Sequence, residues 1–411
     1  MNIFYINHYA GSLKHGMEFR PFYLSRDWTK QGHNVTVVAA SYAHVRSNQP
    51  KVSKIFTHEI IDGINYIWCK TPTYKANGTK RFLNMLVFVT RLFQLIFTLN
   101  NKPSVVIASS TYPLDIFPAY LIAKRYKAKL IFEVHDLWPL SPIEIGKMSK
   151  WHPFIILIQA AEDFAYKHSN LVISILPKTL DYMKTRGLNS NKFIHIPNGI
   201  DLTEWNISSN ETIPSDIRAL QLRIKRDQHN GFFTISYLGS HGPTNALTNL
   251  IESIALLKNK KISVYLIGGG PEKNSLIAFA KTKNLENIYF ENPIPKKYVP
   301  IISNSFDANY IGLQKQPLFK FGISPNKMMD YMAAGKPIIS AIESGNNPVL
   351  EANCGLSVAA EDPKQLAEAI DKLSQLSEDE RMKMGENGRR HVYKEHDYTV
   401  LAKKFLESIK S

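Results

Sequence analysis

The stretch Phe321-Gly-Ile-Ser-Pro-Asn-Lys-Met-Met-Asp-Tyr-Met-Ala-Ala-Gly-Lys-Pro-Ile-Ile339 reads as a loop, a short helix and the start of a strand. Ser324 can cap the helix, Pro325 suits its first position and Gly335 ends it. Lys327 then falls in the first turn, where the helix dipole disfavours a cation unless an anion lies nearby. Asp330 follows near the same end and can offer a carboxylate to hydroxyl groups of whatever Lys327 holds. A Lys327/Asp330 surface pair is the simpler use of that spacing.

Outward from this stretch, strand-like runs alternate with amphipathic helical patterns. Apolar or β-branched runs at 2–7, 34–40, 64–69, 104–108, 129–134, 170–175 and 192–196 precede a polar stretch that reaches about Gly231. The pattern then restarts at 233–238, 262–267, 288–290, 308–311 and 337–340. Such alternation predicts an α/β fold with parallel sheets. The 411 residues exceed the ~250–300 that one hydrophobic core serves. Two doubly wound domains are therefore expected, 1–201 and 202–396. Ligands of such domains bind outside the carboxyl ends of the strands, so the two would face each other across a cleft.

The net charge is +15, and residues 1–205 carry 24 Lys and Arg against 13 Asp and Glu. The first half should meet something anionic. Nucleic acid is disfavoured, because no basic helix run, zinc-finger spacing or aromatic-glycine signature is present. An acidic membrane surface or a phosphorylated lipid substrate accounts for the bias. Cys69 and Cys354 form neither a disulfide framework nor a metal spacing. Met1 leads straight into Ile3-Phe-Tyr-Ile6 without the regions of a signal peptide, so a cytoplasmic protein with a structural N-terminus is expected. Residues 82–99 are almost wholly apolar, but Asn84, Arg91 and Thr98 recur every seven residues and predict a narrow polar stripe. A buried crossover helix fits, as does a helix whose apolar face dips into a bilayer interface beside Lys80, Arg81 and Lys102. Trp151-His-Pro-Phe-Ile-Ile-Leu-Ile158 could be a second such contact.

Several loops at strand ends carry candidate chemistry. In Asn7-His-Tyr-Ala-Gly-Ser-Leu-Lys-His-Gly16, the small residues Gly11 and Ser12 would let backbone N–H groups approach a phosphate, with Arg20 at the next helix start. The loop lacks the glycine spacing of a nicotinamide fingerprint and the ending of a P-loop. Gly239-Ser-His-Gly-Pro-Thr-Asn-Ala246 and Gly268-Gly-Gly-Pro271 each follow a strand and open a helix. Glu133-Val-His-Asp-Leu-Trp-Pro139 places His135 and Asp136 at a strand end, where an imidazole can donate to a sugar hydroxyl or assist proton transfer and a carboxylate can orient it or bind an acceptor hydroxyl. A satisfied structural His-Asp pair is the plainer alternative. No Asp-x-Asp metal site ends a strand, so metal-free phosphate stabilisation by Lys, Arg and helix ends is expected.

Taken in order, the first-strand glycine loop, Gln31-Gly-His33, Ile196-Pro-Asn-Gly-Ile-Asp201, Gly268-Gly-Gly-Pro271 and Asp330-Tyr-Met-Ala-Ala-Gly-Lys-Pro337 resemble the retaining, nucleotide-sugar-dependent glycosyltransferases of family 4, over nearly the whole chain. Tyr5-Ile-Asn-His-Tyr-Ala-Gly11, Gly16-Met-Glu-Phe-Arg-Pro21, His135-Asp-Leu-Trp-Pro-Leu-Ser-Pro142 and Ser324-Pro-Asn-Lys327 look like bacterial surface-polysaccharide transferases of the N-acetyl-L-fucosamine transferase type. The resemblance implies the GT-B fold, with an acceptor-binding first domain, a nucleotide-sugar-binding second domain and a C-terminal helix, 397–411, returning to the first.

It also implies that Gly11 and Ser12 face the donor diphosphate; Gly239 and Gly269, in the two turns that follow strands of the second domain, line one cleft edge and are candidate donor contacts. His135 would sit by the transferred sugar, and Asp330 would match the second acid of the family's Glu-x7-Glu motif and bind the ribose. Gly322 stands where the family usually has the first Glu, so sugar contacts would come from Ser324, Asn326 or backbone groups. The family's Arg and Lys after the first strand of the second domain are missing, which leaves Lys327, Arg20 and a protonated His241 to supply charge.

The expected reaction is transfer of a sugar, such as an N-acetylated deoxyhexose, from UDP to a polyprenyl-diphosphate-linked saccharide in O-antigen or capsule synthesis. Retention of configuration is expected, with no metal or separate cofactor, at the inner face of the plasma membrane. His135, Asp136 and Lys327 are the candidate catalytic residues. A UDP-sugar epimerase of the same fold, or a non-catalytic membrane-docked nucleotide-sugar-binding protein, are the alternatives.

Overall fold

The structure, a computed structural model, describes residues 1–75, 78–99, 101–205 and 213–410. The chain forms two compact units. The first comprises Met1–Asn198, Phe321–Ile323 and Tyr398–Ser411, and the second Gly199–Lys320 and Ser324–Asp397.

The first unit holds strands β1 (Asn2–Ile6), β2 (Asn34–Ala40), β3 (Phe56–Ile61), β4 (Ile64–Cys69), β5 (Val105–Ala108), β6 (Lys129–Val134), β7 (Leu171–Ser174) and β8 (Phe193–His195). Their order is β3-β4-β2-β1-β5-β6-β7-β8. Neighbours run parallel except β3, which pairs antiparallel with β4. This strand was not among those expected. The Asp62-Gly63 turn that makes it carries φ values of 50° and 79°, the left-handed pair that a two-residue hairpin needs.

Crossover helices bury their apolar stripes on the sheet. In Thr79–Leu95 the buried set is Asn84, Met85, Phe88, Leu92 and Leu95, so most of the apolar segment at 82–99 is a crossover helix. Asn84 belongs to that buried face rather than to a polar stripe, and its Nδ2 donates to the Pro72 carbonyl at 2.5 Å. The C-terminal helix Tyr398–Lys410 packs on Arg20–Lys30: Trp28 Nε1 donates to Ala402 O at 3.0 Å, and the Tyr23 and Tyr398 rings stack at 4.8 Å.

The second unit holds β9 (Phe233–Leu238), β10 (Ile262–Ile267), β11 (Ile288–Glu291), β12 (Ala308–Gly312), β13 (Ile338–Ala341) and β14 (Gly355–Val358), all parallel, in the order β11-β10-β9-β12-β13-β14. Of the polar stretch expected after residue 201, positions 206–212 lie outside the described residues, and Ser215–His229 is a helix that buries Ile217, Leu220 and Ile224. In each sheet the chain reverses its direction of winding once, between β1 and β5 and between β9 and β12. Loops diverge there at the carboxyl edge and open a crevice.

Candidate functional site

The helix Asn326–Ala333 follows β12, and Lys327 reaches from its first turn to the loop after β9. Its Nζ donates to Tyr237 Oη at 2.9 Å and to Asn245 Oδ1 at 2.6 Å, and lies 4.6 Å from the Tyr237 ring centroid. Both acceptors are neutral and are held in turn by the Ser240 carbonyl, to which Tyr237 Oη donates at 2.7 Å and Asn245 Nδ2 at 2.9 Å. Among the described residues no carboxylate pairs with this ammonium, and burial pushes its pKa down to about 8. The Lys327/Asp330 pair does not form. Instead, burial raises Asp330 to about 7, opposed by Lys296 and assisted by Glu204, and those two pair with each other at 2.9 Å.

Ser324 does not cap this helix. The cap position falls on Pro325, which has no side-chain oxygen, and Ser324 lies half-buried ahead of an exposed Asn326. Gly322 is buried with φ 98°, a conformation that favours glycine, so the absence of an acid there has a backbone cause.

The glycines after β9 and β10 serve loop–loop packing. A Cβ on Gly268 would stand 1.9 Å from Gly239 O, and one on Gly270 would stand 2.5 Å from His241 O. Gly239 N donates to Ile267 O at 3.0 Å and His241 N to Gly269 O at 2.8 Å, so neither N–H is left for a phosphate. A Cβ on Gly239 would also meet Lys327 Nζ at 3.2 Å, and one on Gly269 would meet Pro293 at 3.3 Å. His241 is buried with both ring nitrogens unpartnered. Burial, reinforced by Lys273 and Lys327, pushes its pKa down to about 4, so it is neutral at pH 7 and supplies no charge. A neutral imidazole still has one donor and one acceptor to give.

In the first unit a hydrogen-bond network around Glu133 joins β1, β6, the loop after β5 and the helix Arg20–Lys30. The Arg20 guanidinium, expected at a phosphate, is wholly buried and committed elsewhere. Its Nε and Nη2 each lie 3.0 Å from Glu133 Oε1, and it donates to the carbonyls of Pro197 at 2.5 Å and Ile196 at 3.0 Å. Glu133 Oε2 accepts from Tyr5 Oη at 2.5 Å and from Ser109 Oγ at 2.7 Å. Burial alone would raise the Glu133 pKa, but Arg20, His135 and Tyr5 outweigh it and hold the carboxyl well below the usual range.

His135 Nε2 lies 2.8 Å from Ser109 Oγ and 3.2 Å from Glu133 Oε2. Ser109 gives its proton to Glu133, so His135 Nε2 must be the donor, and in the neutral ring Nδ1 is an acceptor. Asp136 does not orient this ring. Its Oδ1 accepts from Ser141 Oγ at 2.7 Å and Leu137 N at 2.9 Å, which staples the loop after β6. Glu133, Ser109 and Tyr5 were not anticipated, although residues two apart at a strand end share a face, which was the available signal for Glu133 beside His135.

Gly11 and Ser12 close on their own loop. Gly11 N donates to Glu18 O at 2.8 Å and Ser12 N to Gly16 O at 3.0 Å, while a Cβ on Gly11 would lie 1.9 Å from Gly16 O. Their N–H groups therefore do not face a phosphate. Among the described residues no three His, Cys, Asp or Glu side chains gather as a metal site. No helix of the described residues is long and apolar enough to cross a membrane.

Two family models match the chain in tandem, Glycosyltransferase Family 4 over residues 15–204 and Glycosyl transferases group 1 over 221–391. The chain belongs to the family 4 glycosyltransferases. It is 21% identical over 320 residues to the colanic acid biosynthesis glycosyl transferase WcaI of Escherichia coli (strain K12), covering 76% of each chain. Among solved structures it is similar to Anabaena Alr3699/HepE in complex with UDP, at 14% identity, TM-score 0.68 and full coverage of both chains. It is also similar to WaaG, a glycosyltransferase involved in lipopolysaccharide biosynthesis, at 15% identity, TM-score 0.66 and coverage of 100% and 99%. These likenesses establish the GT-B fold for this glycosyltransferase.

Proposed function

We propose that this glycosyltransferase transfers a sugar, an N-acetylated deoxyhexose such as N-acetyl-L-fucosamine, from UDP to a polyprenyl-diphosphate-linked saccharide. The reaction retains anomeric configuration, uses no metal, and serves O-antigen or capsule repeat-unit synthesis at the inner face of the plasma membrane. The observation that carries the reading is Lys327, a half-buried ammonium at a helix start whose hydrogen-bond partners, Tyr237 and Asn245, are both neutral. A diphosphate supplies the missing counter-charge and, on departure of UDP, Lys327 offsets the charge that grows on the leaving oxygen. The UDP complex of the Anabaena relative supports the nucleotide, and the names of WcaI and WaaG support a surface polysaccharide as product.

The second unit would hold the donor's nucleotide end. Asp330, ionised above about pH 7, accepts from the ribose hydroxyls, and the neutral His241 donates one N–H to a donor oxygen. Ser324 and Asn326 line the donor through their polar side chains, while Gly239 and Gly269 keep the loops close enough for the donor to approach. In the first unit His135 accepts from a sugar hydroxyl through Nδ1, held in place by Ser109 and Glu133. The acceptor hydroxyl attacks the face that UDP leaves, and its proton passes to the departing phosphate oxygen.

The test is incubation of the purified chain with UDP-sugars and a prenyl-diphosphate saccharide. A glycosylated lipid with the donor's anomeric configuration is expected, insensitive to chelator, and lowered by roughly 10²–10³ in Lys327→Ala. Full turnover in a folded Lys327→Ala chain would defeat the assignment.

A further inference from the structure

The first unit carries an apolar, cationic surface that neither its core nor its Glu133 network uses. Trp151 is 75% exposed, Leu83 52%, Ile145 51% and Ile156 51%. Leu83 and Ile156 lie near the starts of two helices, Thr79–Leu95 and Pro153–His168, and Ile145 and Trp151 in the segment that leads into the second. Phe82 in the first turn of one meets Phe154 in the first turn of the other with ring centroids 5.2 Å apart, and Trp138 lies 6.3 Å from Phe154. The helices follow β4 and β6 of the parallel sheet, so both starts lie at its carboxyl edge, where His135 also stands.

The charge there is mostly positive. Residues 78–99 and 145–161 contain no Asp or Glu, but include Lys80, Arg81, Arg91, Lys147 and Lys150, with Glu144 before and Glu162 and Asp163 after the second segment. Lys80, Lys147 and Lys150 are exposed, and Lys150 Nζ lies 5.4 Å from the Trp151 ring centroid. Water is a poor solvent for such a cluster of large apolar side chains. A second copy of the chain would set these lysines against their own kind. An anionic bilayer complements both features, since its headgroups meet the lysines and its acyl boundary takes the aliphatic side chains and the indole.

We propose that the starts of the Thr79–Leu95 and Pro153–His168 helices, with the 145–152 loop, form a docking surface for an anionic lipid bilayer that brings the carboxyl edge of the first unit to a lipid-linked acceptor. The acceptor half of this statement rests on the function proposed above; the docking half does not.

The full chain is sedimented with phosphatidylcholine vesicles containing about one-third phosphatidylglycerol and with phosphatidylcholine alone. Binding to the anionic vesicles is expected, weakening with salt. Trp151→Glu with Ile156→Glu should lower it by more than about tenfold, and Lys147→Ala with Lys150→Ala by roughly fivefold per lysine. Both variants should keep the parent unfolding midpoint, since the side chains are exposed. Undiminished binding by Trp151→Glu/Ile156→Glu, no binding by the parent chain, or equal binding to both vesicles would overturn the proposal. So would a dimer that dissociates in the same variant while vesicles bind neither protein. Transfer to a short, water-soluble acceptor analogue should be the same in parent and variant. Its absence in both, with vesicle binding intact, would refute the transferase reading and leave the docking surface standing.

Discussion

Arg20 in the first unit and Lys327 in the second both stand at the start of a helix beside a sheet's point of reversed winding, yet their charges are handled in opposite ways. Arg20 is matched by a buried carboxylate and two carbonyls, and Glu133 is held ionised for it. Lys327 has only a phenol and an amide, and its pKa falls accordingly. A buried charge with its partner in the chain is architecture, whereas one without a partner is suited to a ligand. Removing one member of a buried pair strands the other, but removing a partly buried cation with no counter-charge relieves a desolvation cost.

The largest effect expected from this contrast is on stability. Arg20→Met leaves Glu133 buried without its cation and should cost about 3–5 kcal/mol, seen as a thermal midpoint about 10 °C lower with UDP affinity unchanged. A folded Arg20→Met chain whose UDP dissociation constant rose tenfold would return Arg20 to the phosphate site. Next comes Lys327→Met, for which calorimetry should show UDP binding lost while the ligand-free midpoint holds or rises by a few degrees. A marked fall in that midpoint would make Lys327 structural.

A smaller effect lies in pH dependence. Asp330 has a raised pKa, so its carboxylate is present above about 7 and lost as pH falls. Lys327 has a lowered pKa, so its ammonium is present below about 8 and lost as pH rises. The donor kcat/KM should therefore be bell-shaped, falling about tenfold per pH unit on each flank. Asp330→Asn should remove only the acid flank, and a flat profile across both pKa values would break the scheme. Least affected should be Asp136→Asn, which loosens one loop staple at a cost of about 1 kcal/mol and changes turnover by less than about threefold. A hundredfold loss would restore Asp136 to catalysis.

Much of the fold was legible along the chain because burial on both faces of a parallel sheet writes continuous apolar runs. All the expected strands formed, from Asn2–Ile6 to Ile338–Ala341. β3 escaped although the Asp62-Gly63 pair marked its turn. β14 escaped because four half-buried residues, Gly355–Val358, carry too short a pattern to distinguish from a loop. Site residues were less legible. Lys327 stood out because its awkward place on a helix is a local fact. Arg20 shared the same local description, and its partner, Glu133, is 113 residues away.

What the amino-acid order determined alone was therefore periodic or local: two parallel α/β units, a cation in a helix's first turn, glycines at strand ends, and cationic segments without acids. Only the tertiary structure decided which cation is neutralised within the chain, that Gly11 and Ser12 turn their N–H groups inward, and that His241 is too buried to hold a proton at pH 7. Those outcomes depend on which distant groups share a desolvated space, because in a medium of low dielectric the nearest counter-charge outweighs every local tendency.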